Sequence, residues 1–206
     1  MYRFKVVIAG AKNVGKSSLI TRFCDNYFDE QIRETIGVAF KRKKVMVMDN
    51  GNEITLDLNI WDFGGEEKYR TLFPSYANGA AAALILFDTT NEKSLDDIVN
   101  WVEIIEDNSI PNIVKLLIAT KIDLKDKREV SKQKAMEFCN KYDWCDDIIK
   151  TSSKTGENVD QTFLTIAKNL LKKNLQKCKA CGKYFSIKLK YCNFCGEKNE
   201  MEVNSL

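Results

Sequence analysis

The chain has 206 residues, 44% of them hydrophobic and 30% charged, enough for one globular domain of ordinary size and a small appendage. No apolar run approaches the roughly 20 residues that span a bilayer, and the absence of histidine excludes Ser-His and Cys-His nucleophiles and imidazole metal ligands. The formal charge of +3 is too small to predict nucleic-acid binding, and most of it sits in Lys172, Lys173, Lys177, Lys179, Lys183, Lys188 and Lys190, read as a solvated surface.

The first residues, Met1 to Lys5, do not make a signal peptide, and Tyr2 stands where N-myristoylation needs glycine, so the cytoplasm is the expected location. Residues 3–9 read as a buried strand ending at Gly10, with a helix from about 16 to 23. Residues 38–48 and 53–62 read as two strands around Asp49-Asn50-Gly51-Asn52, where Asn-Gly signals a tight hairpin turn. Ile54, Leu56, Leu58 and Ile60 alternate with polar residues, as in a strand with one buried face. Strands follow at 81–87, 114–119 and 148–151. The helices between them fall at 94–107, with Ser94 as N-cap, and at 131–142. A last helix begins near Asn158 and runs to about Lys177. Strands alternating with helices predict an α/β fold: a mostly parallel six-stranded sheet flanked by helices.

Gly10-Ala11-Lys12-Asn13-Val14-Gly15-Lys16-Ser17 matches G-x-x-x-x-G-K-[ST] directly after a strand and at the opening of a helix. Glycines let the backbone wrap a phosphate with its N–H groups pointing inward, and the helix N-terminus adds its positive end. Lys16 can reach the β- and γ-phosphates, and the Ser17 hydroxyl can ligate Mg²⁺. Trp61-Asp62-Phe63-Gly64-Gly65 puts a carboxylate at a strand end for the Mg²⁺ shell, and Gly65 can offer a bare N–H to the γ-phosphate. Thr120-Lys121-Ile122-Asp123 supplies a carboxylate able to accept from N1–H and the exocyclic amine of guanine, a donor pair adenine lacks. A backbone N–H of Thr151-Ser152-Ser153-Lys154 can meet the guanine O6.

With these four segments in order, residues 1–177 resemble a Ras-superfamily small GTPase of the Rab or Ras branch. The likeness extends through Thr35-Ile36-Gly37-Val38, Trp61-Asp62 to Tyr69-Arg70, and Lys154-Thr155-Gly156-Glu157-Asn158-Val159. The resemblance implies a P-loop G domain that cycles between GTP and GDP with Mg²⁺, in intracellular trafficking or signalling. It makes Thr35 a Mg²⁺ ligand beside Ser17 and Asp62, and Phe28 the ring against the base. Asn13, Val14, Ser18, Ser152, Ser153 and Lys154 join the nucleotide-binding set. Lys16, Thr35, Gly65 and Glu66 fill the catalytic positions. Residues around 30–40 and 62–76 become switches read by effectors, exchange factors and activating proteins.

Several positions depart from the pattern. Glu66 stands where the family carries a water-orienting glutamine; an ionised carboxylate accepts hydrogen bonds and donates none, so slow hydrolysis is expected. Lys12 replaces a small residue and either crowds an incoming arginine finger or supplies its charge in cis. Thr120 replaces asparagine and Ile32 a tyrosine. The alternative to a cycling switch is a GTP-binding scaffold without hydrolysis.

Of seven cysteines, Cys24, Cys139 and Cys145 are scattered and read as small buried groups. Cys178, Cys181, Cys192 and Cys195 form two C-x-x-C-G knuckles, predicting a four-cysteine Zn²⁺ ribbon over 178–206. Its apolar residues Tyr184, Phe185, Ile187, Leu189 and Phe194 either dock a protein partner, with the lysines as a rim, or simply pack the ribbon or cover the last helix. Glu202-Val203-Asn204-Ser205-Leu206 offers no prenylation cysteine, so membrane contact by that route is not expected.

Overall fold

The computed structural model describes residues 2–31, 35–65, 71–111, 113–142 and 148–199. Ile32, Glu66, Tyr69, Arg70, Cys145 and the segment from 200 onward lie outside the described residues. In chain order the elements are β1 (Tyr2–Ala9), α1 (Lys16–Asp25), β2 (Val38–Asp49), β3 (Asn52–Phe63), α2 (Phe73–Ala77), β4 (Ala82–Asp88), α3 (Glu92–Asp96), α4 (Ile98–Asn108), β5 (Val114–Thr120), α5 (Lys132–Tyr142), β6 (Ile148–Lys150), α6 (Val159–Asn174), β7 (Leu175–Lys177) and β8 (Tyr184–Ser186).

Six strands form one sheet in the order β2-β3-β1-β4-β5-β6, parallel except for β2. β2 and β3 pair in register from Val38↔Phe63 to Asp49↔Asn52. Asn50 and Gly51 close this hairpin with φ of 47° and 76°, both in the left-handed region that a twist-matched two-residue turn requires. The turn falls where the Asn-Gly pair predicts it.

Ile54, Leu56, Leu58 and Ile60 of β3 join Val45, Val47, α1 and α6 in one core, where the rings of Phe23 and Phe163 stack 3.7 Å apart. β4 is buried along its whole length, because helices cover both its faces; its opposite side meets Phe73, Trp101 and Cys139 in a second core. On the outer face of β3, Asp57 is fully buried and takes the Arg42 guanidinium on both carboxylate oxygens. That fork holds its carboxyl below the usual range.

Several local expectations change. The helix foreseen at 94–107 starts earlier and breaks at Asp97 into α3 and α4, with Asn91 rather than Ser94 at the N-cap position. Ser94 is buried in the first turn, where its hydroxyl donates to the Asn91 carbonyl (2.6 Å) and accepts from the Asp88 N–H (2.9 Å). It ties the helix to the end of β4 instead of capping it. Cys139 is buried as expected but is disulfide-bonded, whereas Cys24 is a half-buried free thiol.

The last helix also ends early, at Asn174, and Leu175–Lys177 becomes a strand paired with Tyr184–Ser186. Each knuckle is closed by matching bonds: Gly182 N–H to Cys178 O and Gly196 N–H to Cys192 O, both 2.9 Å. Tyr184 is buried in the first core; its hydroxyl donates to Asp49 at the hairpin turn, and its carbonyl accepts from the Tyr2 hydroxyl. Burial and the Asp49 carboxylate push the Tyr184 phenol up to about 12. Tyr184 and Phe185 are therefore interior, and of the five apolar ribbon residues only Leu189 and Phe194 are exposed.

Candidate nucleotide and metal sites

The phosphate end of the main site is built where β1 gives way to α1. Gly10 has φ 137°, and a side chain there would run into the Leu86 carbonyl of β4. Gly15, at φ 93°, is the N-cap residue of α1 and makes no side-chain cap, so the first-turn N–H groups of the helix open toward the loop. Lys16 is buried, its Nζ donating to the carbonyls of Gly10 and Ala11 at 2.8 Å each. The loop's own carbonyls thus hold the ammonium inside the cavity.

Three oxygens meet beside it. The Ser17 hydroxyl lies 2.7 Å from the Thr35 hydroxyl and donates to Asp62 Oδ2, which Thr35 also reaches at 3.2 Å. Asp62 Oδ1 is buried without a hydrogen-bond partner among the described residues. Burial pushes the Asp62 carboxyl up, opposed by the Ser17 bond and by Lys16. Two hydroxyls and a carboxylate with one orphaned oxygen fit a hard divalent cation such as Mg²⁺, held directly or through its water. Gly65 closes the site: a Cβ there would come within 2.5 Å of Lys16 Nζ and 2.6 Å of Lys12 N. Only a bare backbone fits that close to the loop.

The base end is assembled from three strand ends. Thr120 Oγ1 lies 2.7 Å from the Val14 carbonyl and 2.9 Å from the Phe87 carbonyl, its one O–H proton shared between them, and so ties β5 to the phosphate loop. Threonine here still bridges the two ends of the site. Lys121, at φ 57°, pairs with Asp88 at 2.6 Å. Asp123 accepts from the Ser152 hydroxyl at 2.6 Å.

One cavity of about 420 Å³ joins these parts, lined by Lys12, Asn13, Gly15, Lys16, Ser17, Ser18, Phe28, Thr35, Gly65, Thr120, Lys121, Asp123, Ser153 and Lys154. Of the other residues expected, Gly10, Val14, Asp62 and Ser152 stand behind its wall. Val14 packs into the first core, and Ser152 is fully buried. Sequence reasoning missed Asp29, Glu30, Phe63 and Leu124, which also line it. Asp29 and Glu30 directly follow Phe28, but no spacing rule marks them; Glu30 meets Lys154 at 2.6 Å only through the fold.

At the far end of the molecule the sulfurs of Cys178, Cys181, Cys192 and Cys195 all lie within 4.8 Å of one another. Cys178–Cys195 and Cys181–Cys192 are 3.6 and 3.7 Å apart. Four thiolates about 2.3 Å from one tetrahedral ion stand roughly 3.8 Å apart, far from a disulfide's bond length. The cluster fits a zinc-sized ion.

A doubly wound sheet with this cavity at its strand ends defines a P-loop nucleotide-binding protein. The sequence profile of the Ras family matches residues 5–172. Ras-related protein Rab-1 of Theileria parva is 40% identical over 176 residues, 85% of this chain and 77% of that protein. Ras-related protein Rab-8B of Homo sapiens is 34% identical over 172 residues, 84% of this chain and 80% of that protein. Ras-related protein Rab-5A of Dictyostelium discoideum is 37% identical over 172 residues, 84% of this chain and 83% of that protein. The chain belongs to the Ras family of small GTPases. Membership makes it a small GTP-binding protein with GTP or GDP and Mg²⁺ as cofactors, and GTP hydrolysis as the family's activity. Among the described residues no helix is long and apolar enough to cross a membrane.

Proposed function

We propose that this protein is a nucleotide-dependent switch that binds GTP and GDP, hydrolyses GTP slowly, and signals through the segments carrying Thr35 and Gly65. The observation that supports it most is the meeting of Ser17, Thr35 and Asp62 around an unpartnered carboxylate oxygen, beside Lys16, in a cavity that ends at Asp123. Ser17, Thr35 and Asp62 would hold Mg²⁺, which when bound neutralises charge on the β- and γ-phosphate oxygens. Lys16 and the first-turn N–H groups of α1 bind the same oxygens. Asp123 orients the base, and its carboxylate rejects adenine by being left unpaired.

Thr35 and Gly65 flank the two ends of the β2–β3 hairpin nearest the cavity, and the Gly64 N–H donates to the Gly37 carbonyl at 2.9 Å. A γ-phosphate bound by both residues orders both segments at once, and its loss releases both. Effectors, exchange factors and activating proteins then distinguish the two states there, in a trafficking or signalling setting. Slow turnover follows from the Glu66 carboxylate, which has no proton to donate to the γ-phosphate or its water. Lys12, on the cavity wall, supplies a positive charge near the phosphates or stands in the path of an arginine finger.

The four ribbon cysteines would hold Zn²⁺ in a closed structural site. Residues 1–177 then form the G domain and 178–206 the ribbon and tail. Single-turnover GTP hydrolysis on purified protein, with ATP as control, tests the main reading. Slow, Mg²⁺-dependent GTP turnover that accelerates in Glu66→Gln supports it. Tight guanine nucleotide binding with no turnover in either form favours a scaffold, and no guanine binding defeats the proposal outright.

A further inference from the structure

Arg22 lies outside every motif of the nucleotide site, on the last turn of α1, yet it reaches across to the base-side loop. Its Nε donates to the Ser153 carbonyl and its Nη2 to the Lys154 carbonyl, both at 2.7 Å. The same guanidinium stands 6.0 Å from the centroid of the Phe28 ring and reaches the Asn26 carbonyl at 3.4 Å. One planar group therefore joins the first helix, the loop after β6 and the aromatic wall of the cavity.

The same loop is tied at Ser152, whose hydroxyl accepts from the Thr155 N–H at 3.1 Å, and at the Lys154 side chain, which pairs with Glu30 at 2.6 Å. Thr151 N–H is used by the Ala119 carbonyl (2.7 Å) and Ser152 N–H by the Glu157 carbonyl (3.1 Å). Both are unavailable to a base. Ser153, which lines the cavity, has no hydrogen bond on its N–H among the described residues. Its preceding peptide is oriented by Gly156 N–H, which donates to the Ser152 carbonyl at 2.9 Å; its following peptides are oriented by the Arg22 fork. Remove the fork and one side of Ser153 loses its anchor.

We infer that Arg22 is a positioning residue for guanine recognition: it aims the Ser153 N–H at the O6 of the base and braces Phe28 against the ring. This rests on the guanine-site reading proposed above. A fork to two carbonyls is a task for arginine, since a lysine ammonium is a point charge that cannot replace the planar pair. Asp123 is held separately, by Ser152, so recognition of the N1–H and the exocyclic amine does not pass through Arg22.

The test is equilibrium affinity of the full chain for three diphosphates: GDP, 6-thio-GDP, which alters only the O6 acceptor, and IDP, which lacks only the exocyclic amine. Wild type is expected to prefer GDP to both analogues. In Arg22→Met and Arg22→Lys the preference over 6-thio-GDP should fall at least about fivefold while the preference over IDP stays within about twofold. Circular dichroism shows whether both variants are folded. Equal loss of both preferences would reduce Arg22 to a general structural role and overturn the inference. So would full rescue by lysine, which would mean that charge alone matters, or a wild type indifferent to O6. Failure of wild type to bind GDP defeats the underlying guanine-site reading instead.

Discussion

The two ends of this molecule hold their functional groups by opposite means. At the nucleotide end, residues from several strand ends are brought together by a sheet with a core on each face; Thr120, Lys16 and Arg22 then fix the loops by hydrogen bonds to backbone carbonyls. At the ribbon end the core is three residues, Cys178, Phe185 and Cys192, and two of these are candidate metal ligands. A cavity is shaped by burial in the first case, whereas in the second an ion held by the cysteines would replace a core too small to fold alone. The lesson is that loss of ligand should have unequal consequences at the two ends: the nucleotide site keeps its frame, and the ribbon loses its own.

The largest effect should come from the base. Asp123→Ala removes a carboxylate able to accept two hydrogen bonds from guanine and is expected to weaken GDP binding about a thousandfold. Circular dichroism should stay native, and titration calorimetry reads the affinity. A variant that unfolds would show that this end, too, depends on its ligand.

Next comes the metal. Chelation, or Cys192→Ser, should abolish hydrogen-exchange protection in Leu175–Lys177 and Tyr184–Ser186 and draw the Tyr184 ring out of the first core. Losing a buried aromatic costs about 3 kcal/mol, seen as roughly 6–12 °C in Tm at this domain size. GDP affinity should change by less than about threefold, because none of the residues lining the cavity belongs to the ribbon. A nucleotide site that collapses with the ribbon would break the comparison.

Gly65→Ala is expected to act on one nucleotide state alone. Its Cβ needs space already taken by Lys16 Nζ and the phosphate loop, so GTP should lose about tenfold in affinity relative to GDP. Competition between the two nucleotides measures the ratio.

The smallest effect is at the seam. Tyr184→Phe deletes the bond to Asp49 and should cost about 1 kcal/mol in urea unfolding. Burial and the Asp49 carboxylate push the folded phenol up to about 12 from its ordinary 10.0. Its contribution to stability is therefore full below about pH 10 and is lost as pH rises from about 10 toward 12, since the unfolded chain ionises first. The variant should lack that alkaline decline.

Much of this architecture could be read in one dimension. The phosphate loop, the Asn50-Gly51 turn and the alternation from Ile54 to Ile60 are local patterns with local causes, and each appears where its chemistry puts it. The paired knuckles belong to the same class, because two residues between cysteines already fix the turn. What stayed hidden joins parts distant along the chain. Arg22 meets Ser153, Tyr184 meets Asp49, and Glu30 meets Lys154, and in each pair neither residue announces the other. Ser94 shows a subtler failure. A serine at a helix start looks like a cap, but burial beside the end of β4 gave its hydroxyl different partners. The ribbon's aromatics were ambiguous for the same reason, since an apolar residue in a small appendage can face a partner or the parent domain. Tyr184 and Phe185 turned inward.

The seam at Tyr184 gives the β2–β3 hairpin two moorings. One end of this strand pair is fastened to the ribbon through Asp49; the other carries Gly37 and Phe63, the doorsteps of the segments that face the phosphates. Such a ribbon steadies the hairpin at the tip farthest from the cavity. Stripped of it, the strand pair is still held by its own register and by β1 alongside, which is why the two ends of the molecule can fail separately.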